Sequence, residues 1–249
     1  MNLKDYHSKH IRIVDKWGNQ FTGLADYYHA EYGLHVFNRE EESIRIRDYH
    51  SSGLDSKNYY IFASDIQSIE EITVHGTTEL ATDRLTIREY LPEDAPYLYR
   101  DFGTDEVMYR YTGWNPYATL EMAKKTVQKY IDSYKDPHFY GWAIEFEGIL
   151  VGTIGVYDYD PETNSIEVGI SITRTFWGHG FATEALKAVL EYLTENEGIT
   201  LVTAWCARDN IGSTIALERA GMVTVRTETG GLDVDGKRYD KVYYEYRRG

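Results

Sequence analysis

Hydrophobic and polar residues alternate with a period of two through much of the first seventy positions, a pattern typical of half-buried β-strands. Ile11 and Ile13 share one face of a strand, and Ile44 and Ile46 share one face of another. A Trp-Gly-Asn turn signal at residues 17–19 precedes Phe21, where the apolar pattern resumes. Further strands are predicted at residues 34–37, 43–47, 59–63 and 66–72. Five short strands in about 65 residues predict a small β-barrel.

The pattern changes after a short polar segment at residues 74–83, which we interpret as a linker. Strands are predicted at residues 84–90, 139–146, 149–159, 164–173, 200–207, 222–229 and 239–246, and helices at residues 92–102, after Thr119, after Gly180 and at residues 210–220. The order β-α-α-β-β-β-α-β-α-β-β predicts an α+β domain with a mixed sheet (residues 82–249). It follows a smaller all-β domain (residues 1–75).

The helix after Gly180 carries the clearest helical periodicity of the second domain. Its apolar stripe consists of Ala182, Ala185, Leu186, Val189, Leu190 and Leu193. Gly198 is a stop signal for this helix, and Thr119 is a candidate N-cap for the earlier one.

Composition and charge narrow the possible functions. Apolar residues make up 42% of the chain, and no apolar run approaches the roughly 18 residues of a membrane helix. The single cysteine, Cys206, cannot form an intrachain disulfide and favours a cytoplasmic location. The net charge of −14 is spread over both domains, which disfavours nucleic-acid binding. It favours a cationic partner or, equally, serves only to keep the protein in solution. No Cys/His cluster has metal-ligand spacing, so no metal is expected.

Residues 165–184 combine a strand, a glycine-containing turn and the start of a helix. The first N–H groups of a helix lack partners within it and attract anions. Gly178 and Gly180 would let the backbone approach phosphate oxygens closely. The segment fits neither a dinucleotide-binding nor a Walker pattern. A Gly-x-Gly turn alone is equally compatible with a tight strand–helix connection that binds nothing.

The surroundings of this turn favour one family. Residues 177–182, Trp-Gly-His-Gly-Phe-Ala, resemble the acyl-CoA signature of the GNAT acetyltransferase superfamily, with Trp177 where Gln or Arg is usual. The Glu-Val-Gly of residues 167–169, Asn210-x-x-Ser213, Glu218-x-x-Gly221 and Trp114-Asn115-Pro116 are similar to its RimJ/RimL-like branch. The resemblance covers about residues 82–248. It implies a GNAT fold and an N-acetyltransferase that uses acetyl-CoA as co-substrate.

The resemblance also implies how acetyl-CoA would be held. The pantetheine would bond to backbone groups of Ile170, Ser171 and Ile172 and to the side chain of Asn210. Ser213 would lie near the thioester. The diphosphate would bind the backbone N–H groups of Trp177, Gly178, His179, Gly180, Phe181, Ala182 and Thr183. Asn210 is also a candidate N-cap, a role compatible with pantetheine binding.

Acetyl transfer to an amine requires a proton acceptor for the ammonium form of the substrate. Glu167 is the candidate base, directly or through water, with a surface carboxylate as the alternative. The tetrahedral intermediate would be stabilised by strand N–H groups near Ile170. Leu217 stands where many relatives have a proton-donating tyrosine. Either Ser213, which we favour, a water or another tyrosine would protonate the thiolate, or the thiolate would leave unassisted. The resemblance also implies substrate contacts for Trp114, Asn115 and Tyr117, whose loop borders the acceptor groove in this superfamily, and for Tyr157 near the same edge. The alternative is that these residues occupy ordinary core or surface positions.

The N-terminal domain resembles an Sm-like barrel over residues 9–72, through residues 11–14, the Phe-Thr-Gly of residues 21–23 and the closing residues 64–69. The closing motif lacks the Arg-Gly pair of RNA-binding relatives, so an interaction or homo-oligomerisation module is favoured.

We therefore expect acetyl transfer to a primary amine: a protein N-terminus, a polyamine or another cationic amine such as an aminoglycoside. Two alternatives stay open. One is a CoA-binding sensor or scaffold without transfer activity, and the other is an Sm-like adaptor that brings an acetyltransferase to a ribonucleoprotein. No membrane partner is expected.

Overall fold

The backbone of the protein divides into two compact units. A computed structural model describes residues 2–47, 58–160 and 163–247. The first unit comprises Met1–Val74 together with Tyr157–Glu167 and Glu197–Leu201, and the second comprises His75–Val156, Val168–Asn196 and Val202–Gly249. No helix in the described parts of the chain combines the length and apolarity needed to cross a bilayer.

The N-terminal strands form one antiparallel sheet in the order β4-β3-β2-β1-β5. The strands are β1 (His10–Asp15), β2 (Gln20–Tyr28), β3 (Ser43–Arg47), β4 (Asn58–Phe62) and β5 (Ile66–Glu71). The inward-facing apolar residues predicted from the alternation are buried together, and the core comprises Leu3, Ile11, Ile13, Phe21, Ala25, Ile44, Ile46 and Ile61. Leu3 comes from a 3-10 turn at Leu3–Tyr6, and for the other residues a period of two places the side chains on one face of each strand.

The strand predicted at residues 34–37 is not observed, and this prediction is wrong. Residues 34–37 lie in helix α1 (Ala30–Phe37). A short apolar run does not distinguish a strand from a helix, and the preceding Ala30 and Glu31 favour the helix. The Sm-like barrel is not confirmed, because the pairings among the described strands define a sheet that has β4 and β5 at its two ends.

A second sheet has eight strands in the order β12-β13-β11-β10-β9-β8-β7-β6. These strands are β6 (Leu80–Ala81), β7 (Leu85–Arg88), β8 (Gly141–Phe146), β9 (Ile149–Asp160), β10 (Ser165–Ile172), β11 (Leu201–Ala207), β12 (Val223–Val234) and β13 (Lys237–Arg247). The mixed helix and strand content predicted for this region is therefore confirmed. The difference is β6, a two-residue strand inside the predicted linker that pairs with β7.

In the described part of the chain, four α-helices accompany this sheet: α2 (Asp94–Leu98), α3 (Leu120–Ser133), α4 (Phe181–Glu195) and α5 (Ile211–Arg219). The helix predicted at residues 92–102 is divided, because α2 continues into a π-helical turn at Tyr99–Gly103. Thr119 caps α3 as predicted, since its side chain accepts a hydrogen bond from the N–H of Met122 at 3.1 Å. The predicted stripe of α4 is buried except at Ala182, and the helix packs against β6, β7 and α5.

A buried ion network connects α2 to the sheet. Arg88 on β7 donates two hydrogen bonds to Asp94, at 2.9 and 3.0 Å, and one to Glu145 on β8 at 2.7 Å. The Arg88 side chain is 16% exposed and that of Asp94 is 5% exposed. Hydrogen bonding to Asp94, more than any other contact, raises the pKa of Arg88 above its ordinary value. The guanidinium therefore remains charged and holds both carboxylates in place.

Arg88→Met is expected to lower the free energy of unfolding by about 3–5 kcal/mol, because it leaves a buried carboxylate without its cation. Arg100→Met is the matched control, since Arg100 pairs with the neighbouring Asp101 in a largely exposed position. Its loss should cost at most about 1 kcal/mol. Urea denaturation of the two variants measures the difference. Equal midpoints would contradict the structural role of the Arg88 network.

Candidate functional site

The predicted anion site is an exposed loop between β10 and α4. After Ile172 the chain forms a 3-10 turn at Arg174–Phe176 and then runs through residues 177–180, all of which are exposed. Gly178 and Gly180 have φ values of +79° and +82°, a left-handed conformation that glycine adopts without steric cost. Phe181 begins α4 and is buried. The loop is thus open to solvent while the helix that follows it is anchored in the core.

Some, but not all, of the backbone N–H groups in this loop are available to bind a ligand. Because α4 begins at Phe181, the first N–H group that bonds within the helix is that of Glu184, which donates to the carbonyl of Gly180 at 3.1 Å. The N–H of Trp177, by contrast, donates to the carbonyl of Arg174 at 3.2 Å. This bond commits Trp177 to the preceding turn. The backbone donors proposed for a diphosphate therefore begin at Gly178 and extend to Thr183.

Two side chains of the loop fold back onto its own backbone. The indole Nε1 of Trp177 donates to the carbonyl of Ile172 at 2.6 Å, and Nδ1 of His179 contacts the carbonyl of Trp177 at 3.1 Å. The His179 ring also stacks on Phe181, with ring centroids 5.7 Å apart. Both side chains thus shape the loop. The hydrogen bond to Ile172 gives Trp177 a structural role at a position where the resemblance leads us to expect Gln or Arg.

Strand β10 carries the candidate base, Glu167, and the positions predicted to bind the pantetheine. Ile172 is buried, and the neighbouring N–H of Thr173 donates to the carbonyl of Val151 at 2.9 Å. Ile170, Ser171 and Glu167 are half-buried. Glu167 therefore lies on the strand that runs directly into the anion loop.

Asn210 caps α5, since its Oδ1 accepts a hydrogen bond from the N–H of Ser213 at 3.3 Å. An asparagine side chain also has an NH₂ donor, so capping leaves a donor for a second partner. Leu217 is buried in the same helix, and Ser213 is half-buried.

Tyr244 approaches the same helix through Cys206 on β11, whose sulfur lies 3.6 Å from the hydroxyl of Thr214 on α5. The hydroxyl of Tyr244 is 3.9 Å from the Cys206 sulfur. Burial raises the pKa values of both groups, so each holds its proton at neutral pH.

The loop predicted to contact the substrate is internally braced. Asn115 donates to the carbonyl of Gly103 at 2.8 Å and accepts from the N–H of Tyr117 at 3.0 Å. Tyr117 is buried and its ring lies 6.1 Å from that of Phe102. A Cβ atom at Gly103 would be 1.8 Å from the carbonyl oxygen of Tyr117, so only glycine fits there. Asn115 and Tyr117 therefore hold the loop in shape, and Trp114 is exposed at 67%.

Tyr157, the fourth residue predicted to contact the substrate, is 51% exposed on β9. Its neighbour Tyr159 is buried, and its hydroxyl donates to Asn164 at 3.2 Å.

Sequence reasoning missed an ionic cluster beside the anion loop. Arg84, just before β7, donates through Nε to Glu184 in the first turn of α4 at 2.8 Å and through Nη1 to the carbonyl of His179 at 3.1 Å. The hydroxyl of Thr82 donates to the same carboxylate at 2.6 Å. The sequence shows only that Glu184 is an acidic residue in the first turn of a predicted helix, where it would interact favourably with the helix dipole. This does not identify a partner 100 residues away.

Comparison with known proteins identifies the class. Residues 84–223 match the family model described as Acetyltransferase (GNAT) domain. The chain is 31% identical over 167 residues to the "Uncharacterized N-acetyltransferase YoaA" of Bacillus subtilis (strain 168), covering 66% of this chain and 94% of the relative. It is 26% identical over 167 residues to the "Putative ribosomal N-acetyltransferase YdaF" of the same organism, covering 65% of this chain and 90% of that protein.

Solved structures agree with this assignment at the level of the fold. One of them is the ribosomal L7/L12 alpha-N-protein acetyltransferase RimL in complex with coenzyme A. It matches with a TM-score of 0.62 and 17% identity, over 68% of this chain and 98% of that one.

The protein is thus an acyltransferase. It belongs to the GNAT acetyltransferase family, whose members use acetyl-CoA.

Proposed function

We propose that this protein transfers the acetyl group of acetyl-CoA directly to the nitrogen of a primary amine. The observation that carries the proposal is the exposed loop of residues 178–180 at the start of α4, in a chain of this family. Helix N–H groups without internal acceptors suit a diphosphate, and two left-handed glycines let its oxygens approach the backbone. Ile170, Ser171, Ile172 and Asn210 would hold the pantetheine.

In this reaction Glu167 removes a proton from the substrate ammonium, directly or through water, so that a neutral nitrogen can attack the acetyl carbonyl carbon. The new C–N bond forms as N–H groups near Ile170 stabilise the oxyanion. The C–S bond then breaks, and the remaining excess proton of the nitrogen passes through the Ser213 hydroxyl to the thiolate, so that CoA leaves as the free thiol. Ser213 is the proposed donor for the thiolate, because it lies next to the Asn210 cap and Leu217 cannot donate.

A cationic amine is the proposed acceptor class. The net charge of −14 attracts cations over a distance and raises their local concentration. Among cationic amines, a protein N-terminus is favoured, since one relative is named as a putative ribosomal N-acetyltransferase and one structural neighbour as an alpha-N-protein acetyltransferase.

The test follows free thiol release from acetyl-CoA with three acceptor classes: short basic peptides with a free N-terminus, polyamines and aminoglycosides. The same peptides with acetylated N-termini distinguish α-amine from lysine transfer. Release with the free N-terminus alone is the expected result. CoA binding without release from any acceptor would favour the sensor alternative, and absence of CoA binding would exclude the proposal.

A further inference from the structure

Arg84 lies beside the loop at which, on the proposed function, CoA binds. Arg84 connects three parts of the anion site. Besides its bonds to Glu184 and to the His179 carbonyl, its guanidinium carbon lies 4.7 Å from the centre of the Phe181 ring. The one side chain thus contacts the loop, the first residue of α4 and the carboxylate one turn into that helix.

Arg84 is itself held in place. The Glu184 carboxylate accepts from the Thr82 hydroxyl and, at 3.1 Å, from the Arg84 N–H, in addition to the guanidinium. Burial alone would raise the pKa of Glu184, but the hydrogen bonds from Thr82 and Arg84 outweigh it and lower the pKa. The carboxylate is therefore charged at neutral pH, and the Arg84 side chain has a fixed anchor.

The contact with His179 fixes the orientation of a peptide group. In a planar trans peptide the carbonyl of one residue and the N–H of the next point in opposite directions. Because Arg84 binds the His179 carbonyl, the N–H of Gly180 must point away from Arg84. In the same way, the His179 ring binds the carbonyl of Trp177, which fixes the N–H of Gly178. Two N–H groups of the loop are therefore oriented before any ligand arrives.

We propose that Arg84 is a positioning residue for the diphosphate of CoA. It acts through the His179 carbonyl and the Glu184 carboxylate, holding the Gly180 N–H in the direction in which it donates to a phosphate oxygen. Without Arg84, the peptide between His179 and Gly180 can rotate. Binding must then fix this peptide again, which weakens the affinity for ligands that contain the diphosphate.

The test measures dissociation constants for CoA, for 3′-phospho-ADP, which keeps the diphosphate, and for pantetheine, which lacks it. Arg84→Met is expected to weaken CoA and 3′-phospho-ADP alike by about 10- to 100-fold, the loss of a hydrogen bond from a charged donor. Pantetheine binding should change less than about twofold. Arg84→Lys should be intermediate, because an ammonium keeps the charge but cannot bond the carbonyl and the carboxylate in the same fork geometry.

Arg174→Met is the matched control. Arg174 is also exposed, lies in the 3-10 turn that precedes Gly178 and Gly180, and pairs with Asp105 at 2.9 Å. Its loss should leave all three affinities unchanged. Equal CoA affinity in Arg84→Met and wild type would overturn the inference while leaving the proposed function intact. An equal loss for pantetheine would also overturn it, as a general structural defect. Failure of the wild type to bind CoA would instead count against the proposed function.

Discussion

Glu167→Gln is expected to lower kcat by about 100- to 10,000-fold at neutral pH, the usual contribution of a positioned general base. Glutamine keeps the size of the side chain but cannot accept the proton of the substrate ammonium. The KM for acetyl-CoA should change little, because Glu167 is not among the proposed cofactor contacts, which are backbone groups of β10 and of the anion loop together with the Asn210 side chain. Initial rates of thiol release with saturating acetyl-CoA and an acceptor peptide measure the effect.

The pH dependence distinguishes a base from a structural carboxylate. An α-amino group has a pKa of about 7.7–8.0, so above this range the acceptor is already neutral in solution. The loss of kcat caused by Glu167→Gln should therefore become smaller as the pH rises from 7 to 9.5. Glu191→Gln, an exposed change on α4 with the same loss of charge, should match the wild type at every pH. A deficit that is constant over this range would argue against Glu167 as the base.

Local signals predicted those elements whose structure depends on nearby residues. Strands were predicted at residues 139–146 and 149–159, and the two residues between them, Glu147 and Gly148, have φ values of +49° and +78°, as a tight hairpin between β8 and β9 requires. Thr119 and Asn210 are observed as N-caps, and α4 is buried along its predicted stripe. In each case the side chain that determines the geometry lies within a few residues of the element that it terminates or stabilises.

Features that depend on contacts distant in sequence were not predicted. Glu184 belongs to the segment that resembles the family, yet nothing near it indicates that Arg84 is its partner, since the pairing follows from how α4 packs beside β7. The hydrogen bond from the Asn115 side chain to the carbonyl of Gly103 could not be predicted for the same reason, because it depends on where the chain passes Gly103. The strand predicted at residues 34–37, which lie in the helix Ala30–Phe37, was wrong for a different reason. Its apolar run is too short for the hydrophobic period to distinguish a strand from a helix.

Gly180→Val is expected to weaken CoA binding by about 5- to 150-fold. A β-branched residue at the φ of +82° found here is strained by about 1–3 kcal/mol, and the chain can relieve this strain by rotating the adjoining peptides. Such a rotation moves the N–H groups proposed to bind the diphosphate. Space is not the limiting factor, because a Cβ atom at Gly180 would meet only Nη2 of Arg84, at 3.6 Å. Calorimetric titration with CoA measures the loss.

Gly148→Val separates this effect from general destabilisation. Gly148 also has a left-handed φ, +78°, with open space around the site of a Cβ atom, but it lies in the hairpin between β8 and β9. The two variants should therefore lose similar free energies of unfolding, while only Gly180→Val loses affinity for CoA. Equal affinities in the two variants would mean that the left-handed glycine of the loop serves the turn alone. The diphosphate would then have to be held by groups other than the N–H donors at the start of α4.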